Sequence, residues 1–293
     1  MPPDQVTVRV PATSANLGPG FDCLGLALEL SGTVTLQRDT SIPEGGAGRL
    51  VIEAARRLFQ AQGEEAPLLA ADYDDAVPLA RGLGASAILR VGGLMAANAM
   101  LSDPLTTEEL LQHASALEHH ADNAAPAIFG GMQVAVTMED GRVAHAGVSL
   151  PDGLSAVLYV PDFQMATQKS RRVLPAQLSR SDAVYNVGRA ALLVAALAGR
   201  RLELLDEATQ DRLHQPARSS IFPAMFPIFE AAKAAGALCA YLSGGGSTIC
   251  ALAAGDEERI GRAMSDAAAA REVDGRVVVT RPSERGAEVV EAR

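Results

Sequence analysis

The chain has 293 residues, 48% of them hydrophobic, and a formal net charge of −10 at pH 7. That length holds two ordinary domains with a shared buried interface, and the hydrophobic share excludes a disordered chain. The acidic balance, with only two lysines (Lys169 and Lys233), excludes the basic footprint of a nucleic-acid binder. Cys23, Cys239 and Cys250 form an odd set without a Cys-x-x-Cys pair, which suits a reducing, cytoplasmic compartment and offers no zinc site. Residues 1–5 lack a basic segment leading into an apolar core, and the longest apolar stretch, 190–198, is too short to span a bilayer. Neither export nor a membrane partner is expected.

In chain order, period-two alternation in Val6-Thr7-Val8-Arg9-Val10 and in Thr33-Val34-Thr35-Leu36 predicts two strands around a Gly- and Pro-rich turn. Helical periodicity follows over 50–62, 86–101 and 107–119, the last opened by a capping-box pair, Thr106 and Glu109. Strands are predicted over 132–138 and 154–160. The turn cluster Leu150-Pro151-Asp152-Gly153 between them marks a boundary, giving domains 1–152 and 153–293. Beyond it come helices over 181–198 and 224–235, strands over 237–242 and 248–253, a helix over 257–270 and a strand over 275–280. Strands and helices mix without a strict βαβ repeat, so the expected class is α+β in two layered domains.

The segment with the most chemistry is Pro78-Leu79-Ala80-Arg81-Gly82-Leu83-Gly84-Ala85-Ser86-Ala87, a glycine-rich loop running into an apolar helix. Free N–H groups at a helix start, the helix dipole and glycines that allow close approach together make an anion site. No lysine lies in the loop, so it is not a Walker A sequence. Ser86 offers a hydroxyl for a magnesium ion that bridges phosphates. A bare Gly-x-Gly can equally be a tight turn. Asn16, in Pro11-Ala12-Thr13-Ser14-Ala15-Asn16-Leu17-Gly18-Pro19-Gly20-Phe21-Asp22, is both donor and acceptor, and the Asp22 carboxylate can hold an ammonium or a hydroxyl. Turn chemistry is the plain alternative for residues 16–20. Glu118 falls in the last turn of its helix, where the dipole opposes a carboxylate by roughly 0.3–1 kcal/mol and a cation would offset that cost. An exposed surface glutamate is the alternative there. His119 and His120 invite a zinc reading, but helix neighbours point about 100° apart and no cysteine stands near.

The loop 78–87 resembles the GHMP kinase signature Pro-x-x-x-Gly-Leu-Gly-Ser-Ser-Ala, with Ala85 in place of the first serine. Three further stretches match in the family order. Residues 11–22 resemble the first GHMP motif in its homoserine kinase form. Glu118-His119-His120-Ala121-Asp122-Asn123-Ala124-Ala125-Pro126-Ala127-Ile128-Phe129-Gly130-Gly131 is similar to the Asp-Asn stretch of the same branch, where other GHMP kinases carry an aspartate base. Leu242-Ser243-Gly244-Gly245-Gly246-Ser247-Thr248 resembles the third motif, for which a hairpin turn is the plain alternative. Ala166-Thr167-Gln168-Lys169-Ser170-Arg171-Arg172-Val173-Leu174-Pro175 and His214-Gln215-Pro216-Ala217-Arg218 are similar to two further homoserine kinase stretches.

The resemblance implies the two-domain GHMP kinase fold: an N-terminal ribosomal protein S5 domain 2-like unit and a C-terminal ferredoxin-like layered α/β unit. It implies ATP held by residues 78–87 and Thr167, and Mg2+ held by Ser86 and Glu118. L-Homoserine would be met by Asn16, Asp22, His120, Asp122, Asn123, Arg171, Arg218 and Gly245. Planar guanidinium groups bind a carboxylate through two hydrogen bonds, which makes Arg171 and Arg218 the carboxylate candidates ahead of Arg172. Ser86, Glu118, Asp122 and Asn123 would form the catalytic centre, without a strong base because an amide cannot take the proton. Where relatives carry adenine-pocket residues, 38–49 is shortened here. A homodimer is expected only at the level of the family. The alternatives are a GHMP kinase for another small alcohol and a non-catalytic ligand sensor on the same scaffold.

Overall fold

A computed structural model describes residues 2–38 and 47–293. The elements run β1 (Gln5–Ala15), β2 (Leu24–Arg38), α1 (Gly48–Ala61), β3 (Leu69–Tyr73), α2 (Ala85–Met100), α3 (Thr107–Glu118), α4 (Ala124–Phe129), β4 (Met132–Thr137) and β5 (Val143–Val148). Then come β6 (Ser155–Pro161), α5 (Thr167–Arg172), α6 (Arg180–Ala198), α7 (Leu205–Ala208), α8 (Gln215–Arg218) and α9 (Met225–Ala234). The chain closes with β7 (Cys239–Leu242), β8 (Ile249–Ala253), α10 (Glu257–Ala269), β9 (Gly275–Thr280) and β10 (Glu288–Ala292). The mixed α+β class read from the sequence is the one observed. Among the described residues no helix is long and apolar enough to cross a membrane.

The first sheet has the order β10-β1-β2-β4-β5, with β3 also paired to β2. β1 alternates buried and exposed positions only as far as Val10, and from there to Ala15 every residue is buried. β2 is the mirror case, buried throughout Leu24–Leu28 and alternating later. A strand covered on both faces loses the period-two signal, which is why the sequence shows only the outer half of each strand. The covered halves lie beside the glycine loop: the Thr13 N–H donates to the Leu83 carbonyl at 3.2 Å. α3 opens with the reciprocal capping box read from the sequence, the Thr106 hydroxyl accepting from the Glu109 N–H and the Glu109 carboxylate accepting from the Thr106 N–H.

The second sheet has the order β7-β8-β6-β9, all antiparallel. With helical segments between β6 and β7 and α10 between β8 and β9, this is the ferredoxin-like βαββαβ arrangement. All seven residues of β6 are buried. Val157 and Tyr159 belong to the core beneath α9 and α10, whereas Ala156, Leu158 and Val160 belong to the same cluster as Val8 and Leu26 of the first sheet. The second sheet is therefore a layer between two cores, and its inner face is what joins the halves of the molecule. The chain also recrosses the predicted boundary: β10 pairs antiparallel with β1, matching Val6 to Ala292 and Arg9 to Glu288. This last strand was not predicted because it carries little apolar burial of its own.

Leu158 is fully buried on the face that joins the two halves. Leu158→Ala is expected to lower the unfolding free energy by about 2–5 kcal/mol, read from the midpoint and slope of denaturant unfolding.

Candidate active site

The glycine loop reaches α2 through two positions that only glycine can fill. Gly82 and Gly84 have φ of +76° and +69°, in the left-handed region. A Cβ on Gly84 would lie 1.9 Å from the Thr13 hydroxyl, and one on Gly82 would lie 2.2 Å from the Ser243 carbonyl oxygen. Gly84 is the N-cap of α2 and has no side chain to offer, so the first-turn N–H groups lack a side-chain cap. They open onto a cavity of about 540 Å³ where the two halves meet. Among the described residues this cavity gathers most of the sequence-predicted set: Asn16, Asp22, Leu79, Ala80, Gly82, Gly84, Ala85, Ser86, Glu118, His120, Asp122, Asn123, Thr167, Arg171, Arg218 and Gly245 all line it.

Pro78, Arg81, Leu83 and Ala87 do not line it. Leu83 and Ala87 are core residues, and the Arg81 guanidinium turns away to the Pro161 carbonyl at the end of β6. The loop therefore meets the cavity through its backbone and its small residues. Of the shortened segment 38–49, read as the place of the adenine pocket, residues 39–46 lie outside the described residues.

At the loop end of the cavity, the Ser86 hydroxyl donates to Glu118 Oε2 at 2.9 Å. Two adjacent oxygen ligands of an octahedral magnesium ion at about 2.1 Å would stand about 3 Å apart, so this pair fits one edge of such a site. Among the described residues no cluster of three His, Cys, Asp or Glu side chains is placed to hold a metal. A cation here would take its remaining ligands from phosphate and water. Glu118 has a second partner that the sequence reading missed: the Arg90 guanidinium bonds its other oxygen, Oε1. Arg90 stands four residues after Ser86 on α2, a spacing that puts both on one helix face and was the available signal.

Beside Gly84, the Thr13 hydroxyl donates to Asn123 Oδ1 at 2.8 Å, and Asn123 Nδ2 donates to Asp122 Oδ1 at 3.1 Å. The same Asp122 oxygen accepts from His120 Nδ1 at 2.5 Å. Burial works against a charged His120, but the bond to Asp122 and the charges of Asp122, Glu118 and Asp22 outweigh it and raise the His120 pKa. Thr13 thus fixes the direction of the Asn123 amide, a role the sequence did not announce.

Also lining the cavity, Arg171 forms a two-pronged pair with Asp22, Nη1 to Oδ2 at 2.9 Å and Nη2 to Oδ1 at 2.6 Å. That bond, against a smaller burial penalty, holds the Arg171 pKa above its ordinary value. Arg218 is 2% exposed. Its Nη1 donates to the Gly244 carbonyl at 3.0 Å and to His214 Nδ1 at 2.8 Å, and its Nε to the Ser170 carbonyl at 3.3 Å. Burial and the neighbouring Arg171 lower its pKa to about 10, which leaves it cationic at neutral pH. Asn16 is a brace as well as a wall, its amide donating to the Gly244 carbonyl and accepting from the Asp22 N–H.

His214, fully buried behind Arg218, accepts at Nδ1, so its proton sits on Nε2 and is donated to the Gly18 carbonyl at 2.7 Å. Burial lowers its pKa from 6.5 to about 4. The neutral ring is the native form, and protonation would place a second cation against Arg218. Its contribution to stability is accordingly complete above about pH 6.5 and is lost as pH falls through about 4. Chemical denaturation of the wild type at pH 7 and pH 5 is expected to show the loss, and His214→Gln is expected to flatten that part of the slope.

The family profiles described as GHMP kinases N terminal domain and GHMP kinases C terminal match residues 49–131 and 192–270. Over 97% of its length the chain is 42% identical to the homoserine kinase of Desulfitobacterium hafniense, covering all of that protein. It is 41% identical to the homoserine kinase of Moorella thermoacetica, over 97% of this chain and 99% of that one. The crystal structure of homoserine kinase from Cytophaga hutchinsonii superposes with a TM-score of 0.87 at 29% identity, covering 98% of both chains.

Proposed function

Because the chain belongs to the homoserine kinase family of the GHMP kinases, we propose that it transfers the γ-phosphoryl group of ATP to the side-chain hydroxyl of L-homoserine. The products are O-phospho-L-homoserine and ADP, and the role we assign to the enzyme is a step of threonine biosynthesis in the cytoplasm. The observation that carries the reading is that complements for both halves of a zwitterion line the same cavity as the anion loop. Asp22 offers a carboxylate to an ammonium group, and Arg171 and Arg218 offer guanidinium groups to a carboxylate. The ion pair between Asp22 and Arg171 keeps both groups oriented before a substrate arrives, so less order has to be created on binding.

The triphosphate would lie along Gly82, Gly84 and Ser86, and Ser86 with Glu118 would hold Mg2+, which when bound would supply positive charge to offset that of the phosphates. Asn123 and Asp122 line the same cavity, with Asn123 beside Gly84. Thr13 holds the Asn123 amide so that it can meet the homoserine hydroxyl in line with the γ-phosphorus. Phosphoryl transfer passes through a loose transition state in which positioning and charge stabilisation do most of the work, so alignment suffices without a strong base. The hydroxyl proton then leaves to phosphate or solvent.

The test is a coupled ADP-release assay with ATP and magnesium, comparing L-homoserine with mevalonate, galactose and L-threonine at equal concentration. Turnover confined to L-homoserine is expected. Measurable ATP binding without turnover of any alcohol would instead favour the ligand-sensor reading. Asn123→Asp is expected to lower kcat/KM for homoserine by about 10²-fold or more, because a second carboxylate would face Asp122 across 3.1 Å. A pH–rate profile of that variant checks the absence of a base: a gain in rate with a new basic limb would count against alignment alone.

A further inference from the structure

Arg90 is assigned no part in the reading above, yet it lines the cavity and its guanidinium contacts the carboxylate of Glu118. The Glu118 side chain is 5% exposed and that of Arg90 22%. The two oxygens of the carboxylate are divided between neighbours on a single helix: Oε2 accepts from Ser86 and Oε1 from Arg90, one turn further along α2. Glu118 is also the last residue of α3, and His119 beyond it has a φ of +65°, so the chain turns away and the carboxylate depends on α2 for its orientation. A carboxylate held at one oxygen can rotate about its terminal torsion, which is broad for glutamate. Held at both, it presents one defined edge. The guanidinium also supplies a positive charge at the end of a helix whose dipole opposes a carboxylate.

We propose that Arg90 is a positioning residue for phosphoryl transfer that acts through Glu118: by taking Oε1 it leaves Oε2, beside the Ser86 hydroxyl, as the oxygen presented to the magnesium of the bound nucleotide. The inference rests on the reading of Ser86 and Glu118 as the magnesium pair. Groups that orient a metal ligand from behind change metal affinity or activity by about 10- to 100-fold when removed. The glycine loop carries no lysine, so a direct contact from Arg90 to a phosphate oxygen is the competing role, and the experiment separates the two.

Binding of ATP to the full-length protein is measured by titration calorimetry, once with excess magnesium and once with EDTA, for wild type, Arg90→Met, Arg90→Lys, Glu118→Gln and the double variant Arg90→Met/Glu118→Gln. The expected result is that Arg90→Met weakens binding of magnesium-ATP by about 10- to 100-fold and leaves metal-free ATP binding unchanged, with partial rescue by Arg90→Lys. The double variant is expected to bind no more weakly than Glu118→Gln alone, since the two residues act as one unit. Arg90→Lys retains the cation and the helix propensity and keeps the test available where the methionine variant folds poorly. Equal weakening of metal-free ATP would overturn the proposal in favour of a direct phosphate contact. Unchanged or tighter magnesium-ATP binding, or additive losses in the double variant, would also overturn it. A Glu118→Gln variant indifferent to magnesium would instead remove the metal-site reading on which the proposal stands.

Discussion

The structure depends on close approach of three loops that are far apart in sequence. Ser243 Oγ lies 2.6 Å from the Gly82 carbonyl oxygen and 2.8 Å from Ser14 Oγ, the Gly244 N–H donates to the Ala15 carbonyl, and Thr248 donates its N–H to the Arg81 carbonyl. These bonds tie the first-motif loop, the phosphate loop and the loop between β7 and β8 into one body. They are possible only because Gly82 and Gly84 have no Cβ at the points of contact. Ser14 and Ser243 are fully buried, and a buried polar group left unpaired costs about 1–3 kcal/mol, so the junction tolerates little loosening. The cavity is what remains between these loops once they have met.

From that junction outward, charge is arranged in layers. Residues that line the cavity are held by residues that do not reach it: Thr13 directs Asn123, and His214 supports Arg218. Asp211 in turn fixes the start of α8 by accepting N–H bonds from Leu213, His214 and Gln215. The His-Gln-Pro-x-Arg stretch is mostly support, for Gln215 Oε1 accepts the N–H of Leu242 at the mouth of the third loop and His214 reaches the first loop at Gly18. A site for a small zwitterion and a triphosphate needs opposite charges within a few ångströms of each other without collapse onto one another. Rigid backbone contacts and neutral, directional partners such as His214 and Thr13 provide that separation.

The join between the two halves follows the same logic on an apolar scale. The strands of the second sheet give alternate side chains to each of two cores, Tyr241 and Leu252 to one and Leu242 and Ala251 to the other. Residues 281–293 then run back to the first sheet, where β10 borders β1. Closure of the chain on its own first strand holds the cavity walls in register.

The sequence by itself determined the local chemistry: the capping box at Thr106 and Glu109, the helix entered from a glycine loop, the limits of β9, and the grouping of Ser86, Glu118, Asp122, Asn123, Arg171 and Arg218 through motifs in a fixed order. These are short-range signals, set by backbone geometry and by residue types whose chemistry is specific. Tertiary structure alone decided that Arg90 faces Glu118, that Asp22 takes Arg171, that Arg81 turns away from the cavity it was expected to line, and that β10 returns to β1. Those contacts join residues 28 to 286 positions apart. Apart from the four-residue spacing of Ser86 and Arg90, no local period records them, because what fixes them is which faces the two sheets bury and how closely glycine lets the loops approach.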